Sequence, residues 1–153
     1  MPRKTEESLE QTLTKSQILA ALTELRDGEL GCHLPEEGLS GVDVQIAATF
    51  NEHVRHMNVI ADEYTRIFRE LGTEGRFGGQ AECPGGKETW KDLTDNVNFM
   101  ARMLTDQVRD VATNVTAKAN GNFDHRVTVE CRGEIAELKL TLNIWGDQLK
   151  RNP

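Results

Sequence analysis

The fold is decided by residues 43–71, which read DVQIAATFNEHVRHMNVIADEYTRIFREL. Eight residues of this stretch follow one another in alternating steps of four and three: Ile46, Phe50, His53, Met57, Ile60, Tyr64, Ile67 and Leu71. All of them except His53 are apolar or aromatic, and a mean spacing of about 3.5 residues places them on one seam of a left-handed coiled coil. Because the stretch contains no Pro or Gly, it predicts one unbroken helix of roughly 43 Å.

A long helix with a single apolar stripe needs neighbouring helices to cover that stripe. The chain has 153 residues, of which 37% are hydrophobic and only 5% aromatic. This composition suits helices with narrow seams better than it suits a thick core. We therefore expect an all-α fold in which the seam packs against helices of the flanking segments or of a second copy of the chain.

The charge and hydropathy of the chain limit its partners. The formal net charge is −7, with 25 acidic and 18 basic side chains, and an acidic surface repels the phosphate backbone of nucleic acids. No run approaches the eighteen or so apolar residues that cross a bilayer, and residues 1–15 lack the apolar centre of a secretory signal. The sequence thus predicts no nucleic-acid partner, no membrane insertion and a cytoplasmic location.

An internal repeat organises the whole chain. Its first landmark is a glycine followed two residues later by Leu or Phe, found as Gly28-Glu29-Leu30, Gly75-Arg76-Phe77 and Gly121-Asn122-Phe123. Its second landmark is an apolar residue followed by Asn, found as Phe50-Asn51, Val97-Asn98 and Leu142-Asn143. The two landmarks stand 22, 22 and 21 residues apart in the three copies, from Gly28 to Phe50, Gly75 to Val97 and Gly121 to Leu142. We infer three units built as a short helix, an extended connector and a longer helix.

These landmarks divide the chain into a polar tail at 1–16 and units at 17–65, 66–110 and 111–150, which share helices at their junctions. Besides the eight residues of the long helix, the predicted core seam comprises Ile18, Leu22, Leu25, Leu93, Val97, Met100, Leu104, Val108, Val111, Val115, Ile135, Leu138, Leu142, Trp145 and Leu149. The spacing slips at Leu104 and Val108, where consecutive steps of four form a stutter that locally unwinds a supercoil. The predicted connector anchors are Leu30, Leu34, Phe77, Phe123, Val127 and Val129.

No catalytic constellation emerges from the residues. Gly86-Lys87 follows glycines, but a phosphate-binding loop requires Gly where Ala81 stands and Ser or Thr where Glu88 stands. The cysteines Cys32, Cys83 and Cys131 form no metal-ligand spacing; structural thiols are one interpretation and a redox-sensitive cross-link between subunits is the other. We expect no enzyme activity, no metal and no cofactor.

The order of these elements resembles the HAMP domain. Gly133-Glu134-Ile135 is similar to the start of the second HAMP helix, and Glu134 matches the acidic hallmark of the family. Residues 90–98, WKDLTDNVN, and residues 104–111, LTDQVRDV, resemble the tandem HAMP arrays of group III hybrid sensor histidine kinases. Val42 and Thr89 stand at the hallmark position in the first and second units, which departs from the family pattern.

This resemblance implies three stacked HAMP-type units, each a parallel homodimeric four-helix coiled-coil bundle. It also implies a function as a non-catalytic relay in a two-component system, passing conformational changes to an output such as a histidine kinase. The expected partners are a second copy of the chain and that output domain. The alternative hypothesis is a static homodimerisation or docking scaffold that does not switch.

Overall fold

A computed structural model describes residues 11–86 and 88–151. Over these residues the chain forms four helices, α1 (Lys15–Arg26), α2 (Gly41–Gly72), α3 (Thr89–Ala119) and α4 (Glu134–Arg151), and no strand. The prediction of an all-α fold is confirmed. Within the described ranges no helix is long and apolar enough to cross a bilayer. Residues 1–10 of the predicted polar tail lie outside the described part, and the boundaries of the three units stay a prediction.

Local sequence signals define the ends of α1. The side chain of Thr14 accepts a hydrogen bond from the backbone N–H of Gln17 at 3.2 Å, and the side chain of Gln17 accepts one from the N–H of Thr14 at 2.9 Å. This reciprocal capping box satisfies two backbone donors that the first turn leaves without helical partners. The helix then ends ahead of Gly28, which has a φ of +89°. The predicted long helix is α2.

The described residues form two compact units, and the first comprises residues 11–63 with Cys83–Gly86. In this unit the chain ahead of α1 contacts the chain ahead of α2, because the N–H of Gln11 donates to the carbonyl of Gly38 at 2.9 Å. Gln11 and Leu39 also form an isolated parallel bridge, so the two helices start side by side from segments that run in the same direction. A small core joins them, made of Leu13, Ala21, Leu34 and Ala47.

The second unit contains residues 64–82 and 88–151, with a core of Ile67, Ala81, Val97 and Ala101. Tyr64 of α2 is hydrogen-bonded to Thr94 near the start of α3, at 3.1 Å between their hydroxyl oxygens. Later in the same unit, α4 packs against α3. Each core consists of only four buried apolar residues with a few partly buried neighbours, which is little for helices of 31 and 32 residues.

The three helices that follow connectors enter through the same unusual backbone geometry. Gly41 and Gly133 both have a φ of +59°, and Glu88 has a φ of +46°. Each of these residues precedes the Asn of its repeat by ten positions, so they are structural equivalents. Positive φ is open to Gly without steric penalty, whereas a side chain with a Cβ is strained there. Glu88 therefore occupies a position suited to Gly.

We expect Glu88→Gly to stabilise the protein by about 1 kcal/mol, because the released backbone strain outweighs the extra freedom of Gly in the unfolded chain. Denaturant unfolding measures the change. The matched control is Gly41→Ala, which has open space around the added Cβ and is expected to destabilise by about 1 kcal/mol through backbone strain alone. A loss of stability in Glu88→Gly would contradict the strained geometry.

Candidate functional site

The Asn of each repeat binds the backbone of one connector residue through both ends of its side-chain amide. In every case Oδ1 accepts a hydrogen bond from the connector N–H and Nδ2 donates one to the carbonyl of the same residue. The N–H···Oδ1 and Nδ2···O distances are 2.8 and 2.8 Å for Asn51 with Leu34, 2.7 and 3.0 Å for Asn98 with Ala81, and 3.0 and 3.2 Å for Asn143 with Val127. We call this contact the asparagine clamp.

The clamp supplies hydrogen-bond partners to backbone groups that burial removes from water. Leu34, Ala81 and Val127 are only 2%, 4% and 2% exposed, so water is excluded from their surroundings. A buried peptide group without partners is costly, and a connector outside a sheet has no neighbouring strand to supply them. An Asn amide offers one donor and one acceptor face, which match the N–H and C=O of a single residue. The clamp therefore fixes the connector on the helix that follows it.

The third connector, residues 120–133, carries further polar contacts. The carboxylate of Asp110 accepts hydrogen bonds from the N–H groups of Thr128 and Val129 at 2.6 and 2.7 Å. Lys139 of α4 donates to the carbonyls of the same two residues at 3.1 and 2.9 Å. Burial by itself would raise the pKa of Asp110, but the hydrogen bonds from the two N–H groups and the electrostatic interactions with His125 and Lys139 outweigh it and lower the pKa below its ordinary value.

The third repeat also contains a buried polar pair, Asn114 and Lys118. Asn114 is fully buried and Lys118 is 3% exposed. The Lys118 ammonium donates to Oδ1 of Asn114 at 2.5 Å and to the carbonyl of His125 at 3.1 Å, and Nδ2 of Asn114 donates to the same carbonyl at 2.8 Å. Burial lowers the pKa of Lys118, and the nearby positive charge of Arg126 lowers it further.

A second feature is the apolar seam, much of which a single chain leaves open. Seven predicted seam residues of α3 and α4 are each 41–43% exposed: Leu93, Met100, Leu104, Val108, Val115, Leu138 and Trp145. Between α3 and α4 runs an open groove of about 240 Å³. Its lining is Leu104, Gln107, Val108, Val111, Ala112, Ile135 and Leu138, of which only Gln107 is polar. Contiguous exposed apolar surface of this kind is typical of a protein interface.

The other predicted residues divide by burial. Ile60, Ile67 and Val97 are already buried within one chain. Ten seam residues are partly buried: Ile18, Leu25, Phe50, Met57, Tyr64, Leu71, Val111, Ile135, Leu142 and Leu149. His53, Leu22 and Ile46 are exposed, as is the hallmark Glu134 at the start of α4. Among the connector anchors, Leu34 and Val127 are buried as clamp partners, whereas Leu30, Phe77, Phe123 and Val129 are partly buried.

The chain was compared with known families and folds. No family model matches it, and no solved structure is significantly similar. Over residues 11–86 and 88–151, no three His, Cys, Asp or Glu side chains are grouped so that they would hold a metal ion. The geometry of the clamps and of the seam is therefore the basis for interpreting the function.

Sequence reasoning missed the polar residues of this site. It used Asn51, Asn98 and Asn143 as landmarks of the repeat without assigning them a contact. It overlooked Asn114 and Lys118, although both follow the helical spacing of buried positions in the earlier repeats. The signal that points to them is the repeat itself, since Asn114 and Lys118 stand at positions that are apolar in the other two copies.

We expect Asn98→Ala to destabilise the protein by about 2–4 kcal/mol, because the N–H and carbonyl of buried Ala81 lose their partners together. The matched control is Asn96→Ala on the same helix, at an exposed position, which is expected to change stability by less than about 0.5 kcal/mol. Urea unfolding followed by circular dichroism compares the two. Equal effects of both substitutions would contradict the clamp.

The lowered pKa of Asp110 predicts acid sensitivity. A carboxylate whose pKa is lower in the folded state stabilises fully above its unfolded pKa of about 3.9, and its contribution is lost as the pH falls through the folded value. We therefore expect the free energy of unfolding to decline less steeply between pH 4 and pH 2 in Asp110→Asn than in the unmodified protein. Unfolding titrations across this range test the slope, and identical slopes would contradict the assignment.

Proposed function

We propose that the chain is a signal-relay module, built from three HAMP-type repeats in series and active as a parallel homodimer. In the dimer, two helices from each chain would form a four-helix bundle in every repeat. A change in the packing of one bundle would pass along the array to a signalling output such as a histidine kinase. The observation that carries the proposal is the asparagine clamp, which occurs once per repeat with the same atoms and nearly the same sequence separation of 17, 17 and 16 residues.

The local geometry of the repeats supports this proposal. In the third repeat, α3 contacts pair Asp110 with Thr128 and Asn114 with His125. On α4, Lys139 pairs with Val129 and Asn143 with Val127. The connector thus runs antiparallel to α3 and α4, which run parallel to each other. A long extended connector that joins two parallel helices is the arrangement expected of a HAMP unit from the sequence resemblance.

The exposed seam supports a second copy of this chain as the partner. Its residues repeat at coiled-coil spacing along α3 and α4, so a matching helical surface of the same pitch would cover them. The two small cores leave these side chains exposed to a similar degree along the seam. A second chain in parallel orientation would present the same seam residues at the same heights. A two-fold axis makes such a contact self-complementary.

The relay mechanism rests on the packing of those seams. A four-helix layer with two packings of similar energy is bistable, and a connector held on one helix biases the choice between them. The stutter at Leu104 and Val108 would couple successive repeats, because relaxing its local strain changes the phase of the next seam. The alternative is a static dimerisation scaffold; it is favoured by the tight clamps, which hold all three connectors in a single register.

Disulfide cross-linking tests the parallel dimer that both of these functions require. In a variant that lacks the native cysteines Cys32, Cys83 and Cys131, single cysteines replace the seam residue Leu138 or the off-seam residue Leu140 of the same helix. Leu138 and Leu140 are 42% and 62% exposed in one chain, so exposure alone favours Leu140. A parallel dimer is expected to cross-link at least ten times faster at position 138. Faster cross-linking at position 140 would exclude the seam as the interface.

A cysteine in the first repeat tests the relay in the same cysteine-free background. A parallel two-stranded coiled coil is fused after Arg151, with zero to three inserted Ala residues that rotate α4 by roughly 100° per residue. The readout is the cross-linking rate of Ile46→Cys, in the first repeat. A relay predicts that this rate changes with the number of inserted residues, whereas a static scaffold predicts one constant rate.

A further inference from the structure

The three repeats differ at one pair of positions on the helix that leads into each connector. This helix carries two residues that are four positions, or about one turn, apart. The first lies seven or eight residues before the landmark Gly and the second three or four before it. These pairs are Ala21 and Leu25 in the first repeat, Ile67 and Leu71 in the second, and Asn114 and Lys118 in the third. In the first two repeats Ala21 and Ile67 belong to the same apolar core as the clamped residue of the connector. Only the third repeat places polar side chains there.

The third repeat is shaped around Lys118. Gly146 on α4 is buried, and a Cβ at that position would lie 2.7 Å from Cε of Lys118 and 3.0 Å from the carbonyl oxygen of Phe123. The equivalent residues, three positions after the repeated Asn, are Val54 and Ala101, which are both buried. The absence of a side chain at 146 thus leaves the volume that the lysine fills.

The ammonium of Lys118 is buried without an ionic partner. Among the ion pairs of the described residues none includes Lys118, and its hydrogen-bond acceptors are the Asn114 amide and the His125 carbonyl. The charged groups that face it are Arg126 of the connector, which opposes its charge, and Asp147 of α4, which favours it. Asp147 is already paired with Arg126 at 2.6 Å. His125, the remaining titratable residue in contact, contributes its carbonyl.

A buried ammonium without a carboxylate partner loses more hydration energy than two neutral acceptors return. The lowered pKa of Lys118 expresses the same penalty, because burial destabilises the charged ammonium relative to its state in water. At neutral pH the lysine is charged when it is exposed to water. The free-energy cost of burying this charge offsets part of the stabilisation that packing gives the third repeat. The first two repeats, with apolar pairs at this place, carry no such penalty.

We propose that the third connector opens by itself, more often than the first and second connectors, and that Lys118 is the residue that sets this difference. The third repeat would then be the element whose packing responds first to a signal. The local opening is a property of one repeat, and it does not depend on whether the chain relays a signal.

The three clamps provide matched reporters. The N–H groups of Leu34, Ala81 and Val127 are each bonded to an Asn amide oxygen and belong to residues of nearly equal burial. Amide hydrogen exchange of the full chain at neutral pH, measured by NMR, gives a protection factor for each after correction for the intrinsic rate. We expect Val127 to be at least ten times less protected than Leu34 and Ala81. Equal protection at the three sites, or higher protection at Val127, overturns the proposal.

A substitution then tests the role of Lys118. Lys118→Met removes the charge and keeps the length of the side chain, and it is expected to raise the protection of Val127 at least tenfold while leaving Leu34 and Ala81 within about threefold. Leu71→Met is the matched control in the second repeat and is expected to leave Val127 unchanged. A second variant, Asn114→Ile with Lys118→Leu, copies the apolar pair of the second repeat and is expected to act in the same direction. Unchanged or lower protection of Val127 in both charge-free variants overturns the role of the lysine.

Discussion

The pairing of a side-chain amide with a single buried peptide group is the constraint on which the rest of the structure depends. A connector that lies between two helices must bury backbone, and outside a sheet it has no ladder to satisfy its N–H and C=O groups. Each long helix of a repeat supplies the missing partner from Asn51, Asn98 or Asn143. The clamp also fixes the register of connector and helix, so the small apolar cores of Leu34 with Ala47, and of Ala81 with Val97, form at defined places.

The helices themselves were predictable because their signals are local and periodic. The absence of Pro and Gly from residues 43–71 predicted an unbroken helix, and the structure extends it from Gly41 to Gly72. Thr14 and Gln17 carry a recognisable capping sequence for α1. The spacing of the repeat aligns Glu88 with Gly41 and Gly133, but the positive φ of Glu88 was not predictable, since nothing in a glutamate indicates that backbone conformation.

The contacts of the site were predictable only in part, for a physical reason. The sequence predicted Leu34 and Val127 as connector anchors, and both side chains are buried in the structure. The prediction missed Ala81, whose side chain is too small to stand out although its backbone makes the same clamp. It also missed Asp110 and Lys139, which act on main-chain atoms of Thr128 and Val129. A polar side chain that binds the backbone does not require a particular residue type as its partner. The sequence therefore does not indicate this contact, and only the folded structure reveals it.

Recognition through main-chain atoms has a consequence for how such repeats diverge. Every residue except Pro presents the same backbone N–H and C=O. An asparagine that binds these two groups therefore tolerates many different side chains on the residue that it binds. Leu, Ala and Val occupy that place in the three copies. Duplicated segments held together in this way are free to drift in connector composition, and thereby in stiffness and stability, while the architecture of each copy is preserved.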